Sequence, residues 1–86
     1  MMNVSEVIKH AVAIRRGDAV GYSGDMVRNS DGFLSRWASD NLETAATVAP
    51  FLRANAVNIA CSNGVTPERI GYFAGIIEST LRYHKV

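Results

Sequence analysis

Residues 60–73 read "ACSNGVTPERIGYF", and the order of small, turn and capping residues in them decides how the chain is divided. Gly64 stands where a helix can stop in a left-handed residue, because glycine takes a positive φ without steric cost. Thr66, Pro67 and Glu68 then make a helix start. The hydroxyl can cap free N–H groups, the proline lacks an N–H that would go unpaired, and the acid suits the positive helix end. The stretch predicts one helix ending before Gly64, a tight corner, and a second helix from Thr66 onward.

The same reading extends outward. Ile70, Phe73, Ala74, Ile77 and Leu81 recur at helical spacing, with Arg82, His84 and Lys85 at the negative C-terminal end. Upstream, "NLETAATVAPFLRAN" (41–55) has Asn41 as a cap and a stripe of Leu42, Ala45, Ala46, Ala49 and Leu52, with Pro50 placed to kink or split the helix. "DGFLSRWASDN" (31–41) carries Phe33, Leu34 and Trp37 on one side, with Ser30 or Asp31 as the cap. "NVSEVIKHAVAIRRG" (3–17) spaces Val4, Val7, Ile8, Ala11, Val12 and Ile14 as a helix face, with Asn3 and Glu6 as a capping box and Gly17 as the stop. His10 is expected to face solvent.

Residues 17–32, "GDAVGYSGDMVRNSDG", are the least helical part, and "NSDG" is a turn. Val20 and Tyr22 alternate before "SGDM", which permits a short hairpin. Asp18, Asp25 and Asp31 lack the spacing of a calcium loop, and Arg16-Gly17-Asp18 reads as a helix stop. The expected fold is all-α, a compact bundle of four or five short helices in a single domain over 1–86. The alternative is α+β, with a hairpin in 17–30.

Composition narrows the function. The chain has 86 residues, 48% of them hydrophobic and 20% charged, which gives enough apolar material for one core. A net charge of +1 and a pI near 7.9 give neither the basic balance typical of nucleic-acid domains, pI above about 9, nor an acidic mimic of DNA. No polybasic patch for a membrane surface is present. Cys61, the single cysteine, cannot close an internal disulfide and is expected as a small buried filler. His10, His84 and Cys61 lack metal-ligand spacing, so no metal or other cofactor is expected. No apolar run approaches a membrane span of about 20 residues, and the first residues lack a secretory pattern, so a cytoplasmic location is expected. No nucleophile elbow, phosphate loop or zinc motif is present, so no enzyme is expected.

Extended to "VNIACSNGVTPERIGYFAG" (57–75), the opening stretch resembles the helix-turn-helix of the lambda-repressor and lactose-repressor superfamilies. Ala60 matches the small residue over which the second helix crosses, Gly64 the turn glycine, and Val65 the apolar turn residue. Ile59, Ile70 and Phe73 match buried positions, and "GVTPERI" is similar to the opening of lactose-repressor-type recognition helices. The resemblance implies that Thr66, Glu68, Arg69 and Tyr72 face DNA. In that role Thr66 and free N–H groups would hold a phosphate, and Arg69 would be the one candidate for guanine. Asn63 stands where the family usually has an apolar residue, and Glu68 would repel phosphates. The same features also describe a plain packing corner.

The far side of the last helix supports another expectation. Tyr72, Ile76 and Tyr83 form a second apolar flank, and Gly71 and Gly75 leave a smooth strip where another backbone could approach. Exposed apolar flanks mark interfaces. The leading expectation is a small DNA-binding regulator of a size common on phages and other mobile elements, probing DNA as a homodimer joined through Tyr72, Ile76 and Tyr83. The alternative is a non-enzymatic module, an inhibitor or adaptor, that meets a protein partner through its C-terminal helix.

Overall fold

Apolar spacing and turn chemistry produce α1 (Val4–Arg16), α2 (Ser30–Asp40), α3 (Leu42–Ala54), α4 (Ala56–Asn63) and α5 (Pro67–Tyr83). The computed structural model describes residues 4–16 and 30–85, all helix or short connection. The fold is an all-α bundle. Asn3, Gly17, the hairpin considered within 17–30 and the aspartates at 18 and 25 lie outside the described residues, apart from Ser30, which opens α2.

α5 is the central element and packs against α2, α3 and α4, while α1 closes over α2 and α4. Ile70, Phe73, Ala74, Ile77 and Leu81 of α5 are buried, as their spacing predicts. They meet Val7, Ile8, Ala11 and Val12 of α1 and Phe33, Leu34 and Trp37 of α2 in one continuous core. Trp37 is fully buried, with no acceptor for its indole N–H among the described residues. On α3 the buried set is Ala45, Val48, Ala49 and Leu52. Val48 thus takes the place expected for Ala46, which is exposed.

Three other expectations are corrected. Pro50 does not split α3, which runs on past it to Ala54 and breaks at Asn55. Proline removes the N–H that would bond Ala46, but Ala46 and Pro50 both face water, so the freed carbonyl can be solvated. His10 is half-buried, stacked on Phe33 at 5.2 Å between ring centroids. Cys61 is exposed, because only Ala60 of the short α4 is buried.

Asparagines make the joints. Asn41 alone separates α2 from α3, and Asn55 alone separates α3 from α4. Asn41 does not cap α3 through its side chain. Its Nδ2 donates back to the Trp37 carbonyl at 2.9 Å, and Asn55 Nδ2 donates to the Phe51 carbonyl at 2.9 Å. Asn63 repeats the contact at the end of α4, donating to the Ile59 carbonyl at 2.8 Å. Each amide reaches back four residues to a carbonyl in the last turn of a helix, and the Phe51 carbonyl also accepts the Asn55 N–H at 3.1 Å.

Candidate functional site

The corner between α4 and α5 is built by Gly64 at φ 66°, ψ 33°. Its N–H donates to the Cys61 carbonyl at 3.4 Å, and the Val65 N–H donates to the Ala60 carbonyl at 3.1 Å. This pair of bonds is the glycine-dependent helix stop known as a Schellman motif. Val65 packs against the core, which fixes the direction of exit. Thr66 follows in an extended conformation, and its Oγ1 accepts from the Arg69 N–H at 3.2 Å, with Pro67 opening α5. Ala60, Ile70 and Phe73 are fully buried and Ile59 is half-buried against the core. The corner therefore has the buried pattern of a helix-turn-helix, which a packing corner needs as well.

The four side chains expected to face DNA sit in settings that differ from one another. Thr66 is engaged in the cap, and Glu68 is open to solvent. Arg69 is half-buried, its guanidinium 5.1 Å from the Tyr72 ring centroid and 6.0 Å from that of Phe73. Such stacking holds a cation by the ring quadrupole. Tyr72 is 45% exposed, and its hydroxyl donates to the Asp31 carboxylate of α2 at 2.5 Å. That hydrogen bond is the main cause raising the Tyr72 pKa above the usual phenol value, helped by partial desolvation and the Asp31 charge and opposed by Arg69. The structure thus brings Asp31, Tyr72 and Arg69 together. Asp31 was legible only as a capping or turn acid, since nothing local links it to a tyrosine 41 positions away.

The second flank of α5 runs along α2. Tyr72 bonds Asp31, Thr80 Oγ1 approaches Ser35 Oγ at 3.4 Å, and the His84 ring lies 3.0 Å from Ser39 Oγ. The numbers rise together on both helices, so the two run in the same direction along this polar seam. Ile76 is half-buried against the core beside it. Tyr83 is 83% exposed, edge-on to His84, between exposed Arg82 and His84 and two residues before exposed Lys85. Of the expected interface residues, Tyr83 is the one left fully open.

The Gly71–Gly75 strip is covered from α3. A Cβ at either glycine would lie 4.0 or 3.9 Å from the Arg53 guanidinium, which grips the Glu78 carboxylate through Nε and Nη2 at 2.7 Å each. The hydrogen bond from Arg53 is the main cause holding the Glu78 carboxyl below its usual range. Another backbone does not have free access to this strip.

One surface was not singled out from the sequence. α4 exposes Cys61 and, one turn earlier, Val57 at 68%. Along its flank a groove is floored by Val4, Ile8 and Ile59 and edged by Phe51, which is 48% exposed. The signal for it was the absence of any Asp, Glu, Lys, Arg or His in residues 54–67.

Among the described residues, no group of three or more His, Cys, Asp or Glu is placed to hold a metal ion. No helix among them is long and apolar enough to cross a membrane. The chain matches no protein-family model, and comparison with characterised proteins and with solved structures finds no match.

Proposed function

We propose that the chain is a non-enzymatic protein-interaction module, an adaptor or inhibitor, that meets its partner through the C-terminal end of α5. The observation that carries this reading is the Asp31–Tyr72–Arg69 cluster. At the end of α5 where a recognition helix would enter a groove, the one arginine is stacked, the tyrosine hydroxyl is bonded and two carboxylates, Asp31 and Glu68, face the approach. Phosphate binding rests on cations free to displace counterions. Here Arg36 pairs with Asp40 and Arg53 with Glu78. At the other end of α5, the open Tyr83 ring sits among Arg82, His84 and Lys85. An aromatic anchor in a basic setting suits an acidic protein surface.

A short duplex DNA titrated at low and at moderate salt tests the choice. No binding at either is the expected result, and binding that weakens steeply with salt would establish the DNA-binding reading instead. The positive arm is retention of a protein partner by the native chain and its loss with Tyr83→Ala. Equal retention by both would remove Tyr83 as the anchor.

A further inference from the structure

We infer that the exposed face of α4 is a self-association surface, and that its occupant is a second copy of this chain in a two-fold dimer. In such a dimer the same patch meets itself, so any charge near the axis faces a like charge. The face of α4 meets this condition, because residues 54–67 contain no charged side chain. Among the described residues, every other helix exposes charges: Glu6 and Lys9 on α1, Arg36 and Asp40 on α2, Glu43 and Arg53 on α3, Glu68 and Arg82 on α5.

The composition of α4 suits such a cover. It is eight residues long and fully buries Ala60 alone, with Ala56 and Ile59 half-buried against the core, so much of its surface is left open. Val57 is a poor choice for an exposed helical position, since β-branching restricts its rotamers and its apolar surface is left in water. Burial against a second copy accounts for both. Exposed Val57 and Cys61 share α4 with an uncharged groove in which Val4, Ile8, Phe51 and Ile59 alternate with serine and asparagine side chains, so a second copy would meet apolar and neutral polar groups alone. The surface proposed to meet a different protein, at Tyr83, is on another helix, so the two inferences stand or fall separately.

Cys61 is a built-in reporter, being the single cysteine and exposed in the isolated chain. The experiment measures light scattering and the rate of maleimide labelling across a concentration series. The mass should rise from 9.3 kDa toward twice that value, while labelling of Cys61 slows several-fold. Val57→Asp and Asn58→Asp, both at exposed positions, should hold the mass at that of one chain with an unchanged helical spectrum, whereas Tyr83→Ala should leave the dimer intact. One chain mass at every concentration overturns the proposal. So does a dimer that labels at the rate of the single chain and survives both aspartate variants.

Discussion

Arg53 reaches from α3 across α5 and closes on Glu78 with two 2.7 Å hydrogen bonds, its guanidinium lying over Gly71 and Gly75. The residues share an exposed setting, where an ion pair contributes little and is screened by salt. What the pair supplies is position, because it keeps a long side chain flat against the two residues of α5 that have none.

Gly71→Ala and Gly75→Ala should therefore each stabilise the protein. A methyl group would stand 4.0 or 3.9 Å from the guanidinium, an ordinary contact that requires no movement. Alanine in place of glycine inside a helix gains up to about 1 kcal/mol. The check is urea unfolding, with the midpoint moving up at constant slope. A lower midpoint for either variant would mean that the Arg53 strap needs the bare backbone.

Glu78 gives the fold an acid-sensitive contribution. Its folded pKa is depressed, chiefly by the Arg53 hydrogen bond. The associated stability is therefore complete above the pKa of an unfolded glutamate and is lost as pH falls through the lower folded value. Glu78→Gln should lower the melting temperature near neutral pH and lose less on acidification, so that the two curves converge. Parallel acid limbs in the two proteins would show that another carboxylate dominates.

Tyr72 acts at the opposite end of the pH scale. Its raised pKa, due first to the Asp31 hydrogen bond, means that folding favours the neutral phenol. That stability is complete below the unfolded tyrosine value of about 10 and is lost as pH rises through the folded value. Tyr72→Phe should weaken the protein at neutral pH and flatten its alkaline limb in chemical denaturation. The idea fails if the variant keeps the alkaline limb of the native chain.

The corner should be sensitive at two neighbouring positions for different reasons. Gly64 sits at φ 66°, so Gly64→Ala forces a side chain into the left-handed region at about 1–2 kcal/mol. Thr66→Ala removes the acceptor for the Arg69 N–H, worth about 1 kcal/mol, while Thr66→Ser should retain most of it. Unfolding midpoints for the three variants decide this, and an indifferent Thr66→Ala would mean that water replaces the cap.

Much of this architecture was legible in the chain because its signals are local. Gly64, Thr66 and Pro67 act on backbone groups within four residues, and the stripe from Ile70 to Leu81 follows helical period. The misreadings have a common cause. α4 is apolar at Val57, Ile59, Ala60 and Cys61, so period alone could not say that only Ala60 is buried. Asn41 has the side chain of a cap for α3, but an amide also bonds backward, as it does to Trp37. Asp31 with Tyr72, and Arg53 with Glu78, join residues far apart in sequence. Such pairs become visible only when the helices are placed side by side.

The single-residue joints at Asn41 and Asn55 make the middle of the protein sensitive to phase. A helix turns about 100° per residue, and neither joint has slack to absorb an extra one. A codon inserted at Asn41 or Asn55 would rotate every later buried face away from its neighbours, turning Leu52 or Ala60 toward water. Substitutions between Ser30 and Asn63 thus act one side chain at a time, whereas insertions and deletions there act on the whole remaining chain. An inserted residue between Ser30 and Asn63 should therefore cost more stability than any single substitution there.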